Sequence, residues 1–234
     1  MKFFYSASTM GYGHGYRWHN KYNFPNFPRV TRTLTWDKRG GIPFAILKYR
    51  NSVWNKVSLP NIGFWNWMLD YTFYDGLTQY NDLSNITVSI AGNDLQIKNM
   101  IDHIEESDLG IGGIELNFSC PNVKSFNNRE IPKTKYSLYL KLNCNQDPYE
   151  YDLDNVSGIR LNSVPGKFLG GWSGKVAQLK NWKFIENFNY QGLNIAGCSF
   201  TNLDDIKLLS DMGCTECGIG SVILTNPIFV ELLG

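Results

Sequence analysis

Charge is scarce in this chain: Asp, Glu, Lys and Arg make up 18% of 234 residues and leave a net charge of only +1. No Lys/Arg cluster longer than a pair appears, so the electrostatic footprint of a nucleic-acid-binding surface is missing. No apolar run is long enough to span a bilayer, and the start Met1-Lys2-Phe3-Phe4-Tyr5-Ser6 is too short to form a signal-peptide core. A cytoplasmic protein without a membrane partner is expected. The five cysteines are odd in number and irregularly spaced, which excludes a disulfide framework and favours reduced thiols. The N-x-S/T triplets at Asn85, Asn117 and Asn155 then have no meaning as glycosylation sites. Gly/Ser-rich and Pro-rich linkers, charge blocks and direct repeats are all missing, so one domain covering residues 1–234 is expected.

What the chain has is apolar and aromatic material, 43% and 15%, ample for a packed core. Eight short runs have strand character: Phe3 to Ser8, Arg29 to Leu34, Ile86 to Gly92, Ile114 to Ser119, Ser137 to Asn143, Val156 to Ser163, Leu193 to Cys198 and Glu216 to Val222. Between several of them, apolar residues recur at helical spacing, in Phe64 to Tyr74, Asp94 to Ile104, Lys175 to Phe188 and Leu203 to Met212. The last of these has Thr201 and Asn202 at its start and Gly213 at its end. Strands alternating with helices imply a parallel sheet, and eight of them imply an α/β fold of the (β/α)8 TIM-barrel kind. The intervals Pro121 to Tyr136 and Cys144 to Asn155 carry no helical pattern, so the barrel is expected to be trimmed, with outer helices shortened or missing.

In such a barrel the reacting groups stand at the carboxyl ends of the strands. Several runs end in polar residues there: Ser6-Ala7-Ser8, Arg32-Thr33, Asn117 with Cys120, Lys141 with Asn143, Asn162-Ser163 and Gly220-Ser221. The segment Glu115-Leu116-Asn117-Phe118-Ser119-Cys120-Pro121-Asn122-Val123 closely resembles the active-site segment of class 1 dihydroorotate dehydrogenases, which are (β/α)8 barrels carrying FMN. Other segments resemble that family in the same order. They include Ser6-Ala7-Ser8 with Gly11-Tyr12-Gly13, Val30 to Thr35, Asn55 with Leu59 to Gly63, Val88 to Gly92, Leu140 to Leu142, Leu161 to Val164, Gly170 to Gly174 and Gly218 to Ser221.

The resemblance implies oxidation of dihydroorotate to orotate in pyrimidine biosynthesis, with hydride transfer to flavin N5 and Cys120 as general base. A free thiol titrates near about 8.5 and needs modest help to act at neutral pH. The resemblance further implies that Asn55, Leu59, Asn117, Asn122, Asn162 and Ser163 bind the substrate, whose carbonyl and N–H edge suits asparagine amides. FMN would be bound by Ala7, Ser8, Arg32, Thr33, Asn117, Lys141, Gly170, Gly171, Cys198, Ser199, Gly220 and Ser221. Lys141 would favour the reduced, anionic cofactor, and the loops after the seventh and eighth strands would hold the phosphate. A homodimer and an electron-transfer partner subunit are family expectations.

The chain departs from the family pattern in three places. Arg32 stands where the family has lysine, Thr9 where glycine is usual, and Ala196-Gly197-Cys198-Ser199-Phe200 where paired glycines approach phosphate. The chain is also shorter than its family by about a quarter. Two further functions therefore stand beside the first: an FMN reductase for another pyrimidine-like ring, and a reduced barrel without FMN acting as a binding or structural protein. Cys214-Thr215-Glu216-Cys217, a lone C-x-x-C, is expected to pack in the core without a metal, and His14, His19 and His103 are expected in loops or at the surface.

Overall fold

The structure, a computed structural model, describes residues 1–13, 15–42, 45–56, 58–72, 83–120, 130–166, 170–188, 190 and 192–234. Its twelve described strands are β1 (Lys2–Tyr5), β2 (Arg29–Val30), β3 (Ile46–Tyr49), β4 (Ser52–Asn55), β5 (Ile86–Ile90), β6 (Gly113–Asn117), β7 (Leu138–Leu142), β8 (Gly158–Leu161), β9 (Val164–Pro165), β10 (Gly171–Gly174), β11 (Asn194–Ile195) and β12 (Glu216–Ile219). The described helices are α1 (Phe64–Thr72), α2 (Asp94–Glu106), α3 (Gln178–Asn187), α4 (Leu203–Asp211), α5 (Val222–Thr225) and α6 (Pro227–Glu231).

Eight strands form one parallel sheet in the order β11-β8-β7-β6-β5-β2-β1-β12. The two ends of that sheet meet at Gly197, whose N–H donates to the Glu216 carbonyl (2.8 Å) and whose carbonyl accepts from the Gly218 N–H (2.9 Å). Gly197 is needed there, because a Cβ would lie 2.6 Å from Cys217 Sγ. The sheet is thereby closed into a barrel, and the eight strands expected from the sequence are its staves.

Outward positions of the strands, including Val88, Ile90, Ile114, Leu116, Leu138, Leu140 and Ile159, pack with Trp67 of α1, Ile97, Met100, Ile101 and Ile104 of α2, and Ile206 and Leu209 of α4. Each such side chain, removed from water, stabilises the fold by about 1.5–3 kcal/mol. The helices start where their sequences say they should. Asn93 caps α2 by accepting from Gln96 N–H (2.9 Å), while the Gln96 side chain accepts from Asn93 N–H (3.1 Å). Asn202 caps α4 by accepting from Asp205 N–H (2.8 Å), and Gly213 follows its end with φ +90°. Between β7 and β8 the only helical segment is the 3-10 turn Pro148–Glu150, so the outer ring is incomplete there.

Two features lie outside the regular barrel. Val30 is in register with Thr87 but Leu34 with Ile90, so the four residues 31–34 oppose the three residues 88–90. This bulge lets both Thr31 and Thr33 reach Ser89. The second feature is an antiparallel sheet in the order β3-β4-β10-β9, built from the segments that follow β2 and β8. It forms a lid whose strand β4 also touches α5.

Candidate active site

Strand alternation turns Ser89, Glu115, Asn117, Lys141, Arg160 and Asn162 to the inside of the barrel. Their polar atoms form one continuous chain. Asn162 Nδ2 donates to Ser119 Oγ (2.7 Å), and Ser119 Oγ donates to Asn117 Oδ1 (2.6 Å). Asn117 Nδ2 donates to Thr33 Oγ1 (2.9 Å), which bonds Ser89 Oγ (2.9 Å), and Ser89 Oγ donates to Glu115 Oε1 (2.9 Å). The donor directions are mutually consistent only when Thr33 donates to Ser89, so every link points toward the carboxylate. The orientations of both asparagine amides are set by these bonds.

Glu115 is 1% exposed and faces two cations, Lys141 Nζ at 3.6 Å and Arg160 Nη1 at 3.5 Å. A buried ion cluster repays its desolvation only through close partners. Arg160 has them in an unusual form. Its guanidinium carbon lies 3.7 Å from the Tyr139 ring centroid and 4.2 Å from that of Phe4, while its Nε and Nη1 make no hydrogen bond among the described residues. Two cations against one carboxylate leave the layer with one excess positive charge.

The loops around the barrel's carboxyl end are fixed by their own polar contacts. Asn61 Oδ1 accepts from Thr35 N–H (3.2 Å) and Gly63 N–H (2.9 Å), and its Nδ2 donates to the Leu59 carbonyl (3.0 Å). Ser58 and Leu59 both lie in the left-handed region at φ +58°, a conformation costly for residues with a Cβ. Ser8 is left-handed too, at φ +71°, and its carbonyl accepts from Tyr16 Oη (3.1 Å). Arg32 is half-buried; its backbone N–H donates to the Gly11 carbonyl (2.7 Å), and its charge is felt by the Tyr12 phenol, which accepts from Ile62 N–H (2.9 Å).

In the lid, Asn55 is in register with Gly171. A Cβ on Gly170 would lie 2.6 Å from the Asn55 carbonyl, and one on Gly171 would lie 2.3 Å from Ser163 Oγ. The glycines are therefore required by the approach of Asn55 and Ser163. At the far end of β10, a Cβ on Gly174 would meet the Asn51 carbonyl at 2.3 Å and Ser221 Oγ at 3.0 Å, which brings Ser221 against the lid.

The loop after β11 keeps the backbone shape that glycine would give. Ser199 has φ +62°, and its hydroxyl accepts from Asn181 Nδ2 of α3 (3.0 Å). The Cys198 carbonyl accepts from Trp182 Nε1 (2.8 Å), and the Ser199 carbonyl from Gln178 Nε2 (3.0 Å). Burial pushes the Cys198 thiol up to about 12. Gly220, by contrast, opens onto space: the nearest atom to a Cβ there is Ser6 Oγ at 3.9 Å.

The structure thus joins Thr33, Asn117, Lys141 and Asn162 in one layer, and brings Asn55, Gly170 and Gly171 of the lid region close to one another and to Ser163. Cys120, half-buried, follows directly after Ser119 of that layer, and Ala7 and Ser8 follow Ser6, the neighbour of Gly220. Asn122 and His14 lie outside the described residues. Cys214 and Cys217 are buried in the core, and burial raises both thiols, Cys214 to about 11. No group of three metal-ligating side chains occurs among the described residues.

One expectation needs correction. His19 is 6% exposed, inside the 3-10 helix Arg17–Lys21, because its ring packs against Trp18 and Phe24 and its Nδ1 accepts from Tyr16 N–H (3.0 Å). Ser89, Thr31 and Arg160 also join the polar layer inside the barrel, beyond the site residues expected from the sequence. Arg160 carried a signal, since a charged residue within Gly158-Ile159-Arg160-Leu161 must point inward or toward helices, as Lys141 does.

No protein-family model matches the sequence, and no curated protein matches it either. Solved structures do share its fold. A DHODH from Eimeria tenella in complex with ferulenol superposes with a TM-score of 0.73 at 13% identity, covering 99% of this chain and 79% of that one. A ligand-free DHODH from the same organism gives 0.65 at 12% identity over 87% and 74%. The described residues contain no helix long and apolar enough to cross a membrane. In architecture the chain is a trimmed (β/α)8 barrel of the kind seen in these DHODH structures.

Proposed function

We propose that this chain is a flavin oxidoreductase that oxidises dihydroorotate to orotate at the carboxyl-terminal mouth of the barrel. The observation that carries this reading is the buried hydrogen-bonded layer from Glu115 to Asn162, with Lys141 in it and Cys120 at its edge. The likeness to DHODH structures supports the architecture in which that layer would act.

The residues present fit FMN on three grounds. Gly220 beside Ser6 leaves open space at the rim, Ser199 has the left-handed backbone of a glycine with its hydroxyl bonded to α3, and the layer has an uncompensated positive charge. Ala7, Ser8, Arg32, Thr33, Asn117 and Lys141 would hold the ring system, and Gly170, Gly171, Cys198, Ser199, Gly220 and Ser221 the ribityl phosphate. FMN, when bound, supplies the hydride acceptor for the C6–H of the substrate.

The chain's own residues do the rest. The Cys120 thiolate takes the C5 proton, so that loss of one proton and one hydride leaves a C5–C6 double bond. Asn55, Asn117, Asn122, Asn162 and Ser163 bind the carbonyl and N–H edge of the ring. The amide orientations imposed on Asn117 and Asn162 pre-organise that grip, and the excess charge of Lys141 and Arg160 over Glu115 favours anionic species at the mouth. Titrating the protein with FMN tests the fit: quenching of flavin fluorescence at one equivalent is expected, weakened by Lys141→Met.

A barrel without the cofactor, serving as a binding or structural protein, is the second reading. Asn117 already spends both amide atoms on Thr33 and Ser119, and Gly170 and Gly171 are explained by packing alone. A protein that leaves FMN fluorescence unquenched favours it.

A further inference from the structure

The lid sheet has a second face. Leu47, Trp54, Trp172 and Val164 are mutual partners across β3, β4, β10 and β9, one residue from each strand. Strand alternation puts Asn55 and Gly171 on the opposite face, so this row belongs to a surface separate from the substrate-side lid. The row lines a cavity of about 550 Å³ completed by Pro165, Gly166, Val176 and Lys180. Leu47 is 60% exposed and Val176 53%.

Two indoles and aliphatic side chains around a concave space of this size are what small ligands bury themselves in, with few polar groups to orient them. Among the described residues, Lys180 is the only charged one in the lining. It sets the sign of the ligand. We propose that this cavity binds a small amphipathic anion, an apolar chain or ring against Trp54 and Trp172 with one carboxylate-like head at Lys180. The site is independent of the flavin reading, since none of its residues takes part in the barrel layer.

Decanoate and decanol are suitable probes, followed by tryptophan fluorescence and calorimetry on the full chain. One saturable decanoate site is expected, with decanol weaker. Lys180→Gln should weaken decanoate about fivefold and leave decanol unchanged. Leu47→Glu should abolish both, and because both replaced side chains are at the surface the variants should melt as the parent does. Binding that is not saturable, that is equal in Lys180→Gln and the parent, or that FMN or orotate displaces competitively would overturn the proposal.

Discussion

The guanidinium of Arg160 stands 3.5 Å from the Glu115 carboxylate while lying between the rings of Phe4 and Tyr139. Arg160 thereby satisfies part of a buried negative charge that Lys141 also faces, at 3.6 Å. Breaking a buried ion pair costs about 3–5 kcal/mol, and Lys141, which stays opposite Glu115, keeps the cost of losing Arg160 at the lower end of that range. Arg160→Leu should therefore lower unfolding stability by about 3 kcal/mol in urea, and Arg160→Lys should recover part of it. An Arg160→Leu protein as stable as the parent would show that the pair contributes nothing net.

His19 links stability to pH. Burial, aided by the nearby Arg29 charge, lowers its pKa below the ordinary 6.5, and its Nδ1 must be unprotonated to accept from Tyr16. The unfolded chain then binds the proton more readily than the folded one. Stability is complete above the unfolded value of about 6.5 and falls as pH drops through it, until the lower folded value is reached. Urea midpoints measured between pH 8 and pH 5 should show this decline, and His19→Gln should flatten it. An unchanged slope in the variant would assign the decline to other groups.

Ser58 has a left-handed backbone that glycine adopts without strain. Ser58→Gly should raise stability by about 0.5–1 kcal/mol, the relief exceeding the entropy glycine adds to the unfolded chain. A lower urea midpoint would mean that the Ser58 side chain has contacts worth more than the strain.

Cys198, Cys214 and Cys217 have thiols raised by burial, with Cys198 and Cys214 at about 12 and 11. Alkylation of the native protein at pH 8 should leave these three unmodified after conditions that label all five cysteines in urea. Rapid native labelling of Cys217 would contradict its buried place in β12.

Much of the barrel was legible because its staves have a two-residue period: Leu138, Leu140 and Leu142 face helices, while Tyr139 and Lys141 face inward. The lid was not. Its β3–β4 hairpin turns at Arg50-Asn51 without glycine, Arg50 taking φ +49° itself, so the usual hairpin signal is missing. Gly171–Gly174 is not among the strand runs expected from the sequence, yet it is a strand, in which Gly171 admits Ser163 and Gly174 admits Asn51, while Gly170 just before it admits Asn55. At the site, Asn117, Lys141 and Asn162 could be named from their segment. Ser89 and Arg160 could not be joined to them, because the contacts between Ser89 and Glu115 and between Arg160 and Glu115 cross strands 26 and 45 residues apart in sequence.

In the proposed function, Cys120 and the layer behind it serve flavin-linked oxidation of dihydroorotate. Its most direct measurement is the flavin absorption band of the purified, FMN-loaded protein under anaerobic addition of dihydroorotate, for the parent and for Cys120→Ala. Bleaching is expected in the parent, and in the variant a retained band that bleaches about 10²–10⁴ times more slowly. A protein that binds no FMN, or a Cys120→Ala variant that bleaches as fast as the parent, would contradict it.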